Sequence, residues 1–242
     1  MTNLTVVNSQ AHLNLRVSPQ PTRESAQLNA VSVIPREFPR LLAHYPIFFL
    51  KSPETGRFEP VALLGFEQKE NLFFVQDRWD VEYVPLQILR NPFSLLRRPE
   101  EPGVAPALDL AIDLDSEQIR PESGERLFTD DGKATKFLEE RASMVQALVS
   151  GSTEAYAFTG RLAELNLLEV VQIKIEFVDR SEKTLQGLYW ISTTGLDKLT
   201  AAQLMGLRDR KYLEWIYFQM ASLSHMSGLV ARKNRLISGV AR

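Results

Sequence analysis

The clearest pattern of apolar and polar positions lies at residues 168–192. Val171, Ile173, Ile175 and Phe177 alternate with Gln172, Lys174 and Glu176. A period of two predicts a strand with one buried face and one wet face. Asp179-Arg180-Ser181-Glu182-Lys183 forms a turn cluster, and Leu185, Gly187, Tyr189 and Ile191 return as the second strand of a hairpin. Residues 46–50 and 60–66 are short apolar runs on either side of Ser52-Pro53-Glu54-Thr55-Gly56, a second hairpin signal. Gly65 inside a strand pattern predicts a bulge or a close backbone approach. Residues 71–75 continue the strands. The partial alternation of Val84, Leu86 and Ile88 predicts another, and residues 107–114 read as a strand ending in acids.

Helical spacing replaces this period over residues 133–166. Phe137, Leu138, Arg141, Met144, Val145 and Leu148 fall on one face. Ser150-Gly151-Ser152-Thr153 interrupts them, so a second, shorter helix carrying Phe158, Leu162 and Leu165 is predicted. Thr200 and Gln203 have capping-box spacing, which predicts a helix from Ala201 ending near Gly206. A longer helix is predicted over about residues 208–227, with Gly228 as its stop. Its core face reads as Leu213, Ile216, Tyr217, Met220 and Leu223, leaving Trp215 and Phe218 on another side. Those two rings are either central in the fold or part of an interface, and a self-complementary patch would close as a homodimer.

Together these elements predict an α+β fold: an N-terminal antiparallel β unit packed with a C-terminal helix–β-hairpin–helix unit. Residues 1–30, with the breaker cluster Ser18-Pro19-Gln20-Pro21, read as an irregular arm. Residues 31–132 read as the β unit with an acidic connection, and 133–242 as the helix–hairpin–helix unit sharing its core. The connection is marked by ten acids against two bases between Glu100 and Asp131.

Charge and composition remove several classes of function. Thirty acids against twenty-eight bases give a net charge of -2, which argues against a general nucleic-acid binder. With no cysteine, disulfides, thiol catalysis and every cysteine-type zinc site are excluded. His12, His44 and His225 lack ligand spacing, so no metal and no cofactor is expected. Asp113, Asp115 and Glu117 share one strand face but lack EF-hand spacing. No stretch free of charged residues reaches the about 20 predominantly apolar positions of a spanning helix. The first fifteen residues lack the basic start of a secretory signal, so a cytoplasmic protein is expected.

No nucleophile elbow, phosphate loop or dinucleotide fingerprint occurs. Ser222 and His225 are spaced to touch on a helix, as are many polar pairs on a surface helix. Asp77-Arg78-Trp79-Asp80-Val81-Glu82-Tyr83 stands out. Arg78, Trp79, Asp80 and Tyr83 combine a planar cation, large rings and an acid, which suits a peptide or an amino-acid-derived ligand. Alternatively this is a turn whose Trp79 enters the core while Arg78 pairs with a nearby acid. The basic tail Arg232-Lys233-Asn234-Arg235 reads either as a small patch for anionic lipid or nucleic acid or as a partner for the acidic connection.

Several strings together point to a family. They include Ala43-His44-Tyr45-Pro46-Ile47, Pro60-Val61-Ala62-Leu63-Leu64-Gly65-Phe66, Arg78-Trp79-Asp80 before Tyr83-Val84-Pro85, Ile112-Asp113-Leu114-Asp115-Ser116, Gly187-Leu188-Tyr189, and Ser222-Leu223 before Arg232-Lys233-Asn234. The set resembles the bacterial SapC family of soluble proteins, not the membrane-spanning permease of the same name. The resemblance carries no catalytic residues. It implies a setting beside TonB-dependent receptors, flavin-dependent tryptophan halogenases and cupin-like proteins. The expectation is therefore a non-catalytic binding or accessory protein. The alternative is an enzyme acting on a peptide or amino-acid derivative through carboxylate acid/base residues.

Overall fold

The computed structural model describes residues 3–98, 108–120 and 122–239. Its strands are β1 (Leu4–Val6), β2 (Arg16–Val17), β3 (Ala30–Ser32), β4 (Ile47–Lys51), β5 (Phe58–Leu63), β6 (Phe74–Val75), β7 (Arg78–Trp79), β8 (Phe93–Arg97), β9 (Leu108–Asp113), β10 (Glu125–Arg126), β11 (Leu168–Glu176) and β12 (Glu182–Ile191). The helices are α1 (Ser9–His12), α2 (Phe38–Leu41), α3 (Leu86–Leu89), α4 (Lys136–Glu164), α5 (Thr193–Asp197), α6 (Ala201–Asp209), α7 (Tyr212–Ser222) and α8 (Met226–Ile237). The α+β class read from the sequence is the class observed.

Two compact units are present, and each is discontinuous in sequence. One comprises residues 1–24 and 86–150, the other 25–85 and 151–242. These limits differ from residues 30 and 132 because strands pair across long sequence distances: β1 with β9 in the first unit, and β4 with β12 in the second. A reading of contiguous composition has no access to such pairings.

In the first unit, antiparallel strands in the order β1-β9-β8 and the pair β10-β2 surround a core of Val17, Phe93, Ile112, Leu127, Phe128, Leu138 and Val145. The arm supplies the paired strands β1 and β2, and its Val7, Leu13 and Leu15 pack against this core. Arg141 is buried there; its guanidinium donates to the carbonyls of Leu89 and Pro19 and lies 4.9 Å from the Phe137 ring centroid.

The second unit is built on a five-stranded antiparallel sheet, β11-β12-β4-β5-β3. In β4, Ile47, Phe48 and Phe49 are all buried, so both faces of this central strand are covered and its sequence reads as a run, not an alternation. On the edge strand β11, Val171, Ile175 and Phe177 are buried, Ile173 is half-buried, and Gln172, Lys174 and Glu176 are exposed. The register shifts between Val171 and Ile173, and this irregularity accounts for the imperfect alternation. Phe158 of α4 anchors a ring cluster, with centroids 6.2 Å from Phe49, 6.5 Å from Phe38, 5.2 Å from Tyr212 and 5.3 Å from Trp215.

Four expectations about individual elements are corrected. Residues 86–89 form the helical turn α3, not a strand. Helix α4 runs without a break through Ser150-Gly151. At Gly151 a Cβ would lie 2.5 Å from Ile34 Cδ1, so the glycine serves close packing rather than termination. The long C-terminal helix is three segments, because Lys211 adopts a left-handed φ of 61° before α7 and a short 3-10 turn precedes α8. Gly206 and Gly228 both lie inside helices, in α6 and α8. The predicted capping box is present, with Thr200 accepting from Gln203 N and the Gln203 side chain accepting from Thr200 N.

The buried face of α7 also departs from the wheel. Tyr212, Ile216, Gln219 and Ser222 are buried, while Tyr217 is 58% exposed. Two polar residues belong to the core because they complete the backbone bonding of the sheet. Gln219 Nε2 donates to Ile47 O at 2.8 Å, Gln219 Oε1 accepts from Ile191 N, and Ser222 Oγ accepts from Ile47 N at 2.9 Å.

Candidate functional site

Strands β6 and β7 form a tight hairpin with Phe74 opposite Trp79 and Val75 opposite Arg78. Its tip is Gln76-Asp77, with φ of 51° and 60°. Both turn residues of a type I′ hairpin need positive φ, which favours Asn and Gly. Gln76 and Asp77 hold this conformation at a cost of about 1–3 kcal/mol for each residue.

Immediately after the hairpin, Asp80 meets Arg232 of α8. Arg232 Nη1 donates to Asp80 Oδ2 at 2.8 Å, Nη2 donates to Asp80 O at 3.2 Å, and the guanidinium carbon lies 4.6 Å from the Phe73 ring centroid. The next residue, Lys233, pairs with Glu70, whose carboxylate also accepts from Phe66 N at 2.8 Å. Asn234 Oδ1 then accepts from Val178 N at 3.0 Å. Three consecutive side chains thus fasten α8 to three separate segments of the second unit. Within the second unit, Arg232 and Lys233 of the basic tail pair with Asp80 and Glu70.

A second network lies on the Tyr83 side. The Tyr45 hydroxyl donates to Tyr83 O at 2.6 Å, and the Tyr83 hydroxyl donates to Glu37 Oε1 at 2.8 Å. Burial pushes both phenols well above their ordinary range, so they remain hydrogen-bond donors at neutral pH. Glu37, itself 2% exposed, also accepts from Ile34 N. The Arg40 guanidinium lies 5.6 Å from the Tyr83 ring centroid.

Among the candidates read from the sequence, Trp79, Asp80 and Tyr83 are half-buried around these networks, while Arg78 is exposed on β7. Trp79 packs edge-on to Tyr45 at 6.4 Å, and its Nε1 is buried without a hydrogen-bond partner among the described residues. Trp215 stacks on Tyr212 at 5.3 Å and is half-buried, as is Phe218. Ser222 and His225 form no dyad, since Ser222 is committed to Ile47 N and His225 Nε2 lies 2.6 Å from Leu42 O. Asp113 Oδ1 accepts from Asn3 N and Asp115 N. Among the described residues no group of three or more His, Asp or Glu is placed to hold a metal ion.

Beside the hairpin and α8 lies a groove of about 460 Å³ whose walls include Leu72, Phe74, Val75, Gln76, Arg235 and Leu236. Sequence reasoning located one wall, the hairpin, but missed Glu37, Tyr45, Glu70 and Phe73. It had no means of assigning Arg232 and Lys233 to Asp80 and Glu70. The available signal was compositional: the chain places bases at 232–235 and acids at 70 and 80 within apolar surroundings.

An α+β protein with two discontinuous units and an ion-paired C-terminal helix is the class defined by this geometry. The family model described as SapC matches residues 7–229, and the chain belongs to that family. No curated protein and no solved structure matches it. Among the described residues no helix is long and apolar enough to cross a membrane.

Proposed function

We propose that the chain is a non-catalytic binding or accessory protein whose contact region is the groove beside β6, β7 and α8. One observation carries this reading. Three acids near Trp79 serve structural bonds, Asp80 with Arg232, Glu70 with Lys233 and Glu37 with Tyr83, and a groove lies next to them. Committed carboxylates hold the shape of a site and are poorly placed to exchange protons with a substrate. A volume of about 460 Å³ falls within the range of about 300–1,000 Å³ usual for small-ligand sites. The setting implied by the family resemblance, uptake and modification of an imported compound, agrees with a protein that holds a peptide or amino-acid derivative for another component.

The test is a thermal-shift screen of the full chain against small peptides and amino-acid derivatives, with every hit recovered and analysed by mass spectrometry. A stabilising compound recovered unchanged after prolonged incubation supports binding. A hit that is recovered chemically altered overturns this reading in favour of an enzyme.

A further inference from the structure

We propose that the groove takes a small organic anion, a carboxylate carried on an apolar body, with Arg235 as its anchor. The proposal rests on the groove being the contact region and names its ligand chemistry. The argument starts from charge. Asp80 and Arg232 both face the groove and neutralise each other at 2.8 Å. Arg235, one turn of α8 beyond Arg232, lines the same groove, is half-buried and has no ion pair or hydrogen bond among the described residues. A guanidinium in that position is a planar donor fork with unused N–H groups, and its best partner is a carboxylate accepting two parallel bonds.

The remaining lining gives the body of the ligand. Leu72 and Phe74 on one side and Leu236 on the other are apolar, and Leu236 is 63% exposed. Covering that surface with an alkyl or aryl group removes apolar area from water. Gln76 adds a carboxamide at the strained hairpin tip, within the same lining. Backbone strain of this kind persists where the surrounding structure holds it, and it often accompanies binding sites. A cation without an ion pair among the described residues, an apolar wall and a volume of about 460 Å³ are the complement of an amphiphilic carboxylate.

Isothermal titration calorimetry of the full chain at low salt would use octanoate, phenylacetate, octanol and inorganic phosphate as probes. Octanoate or phenylacetate is expected to bind, and the stronger of the two identifies an alkyl or an aryl body. Arg235→Gln is expected to weaken that binding at least about tenfold, the scale of one charge-assisted bidentate contact. Leu236→Glu, at an exposed position, should abolish it while leaving the melting temperature unchanged. The proposal is overturned if octanol or phosphate binds as tightly as the carboxylates, or if Arg235→Gln binds like the parent protein. It is also overturned if neither carboxylate binds. Should the peptide and amino-acid screen then yield an unaltered neutral or cationic ligand, the anion proposal alone has failed and the binding role stands.

Discussion

Replacing Arg232 by methionine is expected to destabilise the second unit by about 3 kcal/mol, because it removes the cation paired with the partly buried Asp80 carboxylate. An exposed ion pair contributes about 0–1 kcal/mol, whereas removing one partner of a fully buried pair costs about 3–5 kcal/mol. The Arg232 and Asp80 side chains are 15% and 25% exposed, which places the pair nearer the buried limit. The cation over the Phe73 ring adds about 0.5–2 kcal/mol. Methionine preserves most of the stem volume, so the loss reports charge and hydrogen bonding rather than a cavity. Asp80→Asn alone should cost about 1.5–2 kcal/mol, and the double substitution should cost less than the sum by about 1.5 kcal/mol. All three tryptophans, Trp79, Trp190 and Trp215, lie in the second unit, so urea melts followed by tryptophan fluorescence report the relevant transition. A coupling energy below about 0.3 kcal/mol, the ordinary error of additivity, would refute the claim that this pair fastens α8.

Two further outcomes are expected. Ile175→Ala on the buried face of β11 should cost about 2–5 kcal/mol in the same melt, while Val170→Ala at a 66% exposed position should cost less than about 0.5 kcal/mol; a larger cost at Val170 than at Ile175 would mean the strand faces the other way. Burial holds the His44 imidazole below its ordinary value of 6.5, with His225 and Arg232 acting in the same sense and Glu82 opposing them. The unfolded chain then binds the proton more readily, so this contribution to stability is present above about pH 6.5 and lost as the pH falls towards the folded value. His44→Gln should therefore show a smaller drop in melting temperature between about pH 7 and pH 5, and an identical drop in both proteins would exclude His44 as its source.

Local chemistry made much of this fold legible. The β11–β12 hairpin followed from strict alternation, and α6 began where Thr200 and Gln203 set a capping box. Gly65 predicts a bulge or a close backbone approach, and the second is found: a Cβ there would stand 2.3 Å from Glu70 O. What escaped was information held between distant segments. The burial of Gln219 and Ser222 is set by partners, Ile47 O and N, more than 170 residues away. Tyr217 looked like core on a helical wheel because hydropathy counts its ring and not what covers it. The same limit applied to the candidate site. Trp79 and Asp80 stood out by composition, but the bonds that position them run to Arg232 and Tyr45. No periodicity links residues 152 apart.

The sheet order has a consequence for how the chain is made. Strand β4 lies between β5, which follows it within a few residues, and β12, which emerges from the ribosome more than 130 residues later. Until β12 arrives, the β4–β5 hairpin presents Phe48 and Phe49 on a strand with one unpaired edge, a template for pairing with another chain. Residues 86–150, which form most of the other unit, are synthesised during that interval. Closure is then completed by Arg232, Lys233 and Asn234, whose contacts span 152, 163 and 56 residues. Contacts of such separation carry a high loop-closure entropy and form late. The second unit is thus committed to folding after most of its sequence has been translated, and its early strands depend for that whole period on remaining soluble without their neighbours.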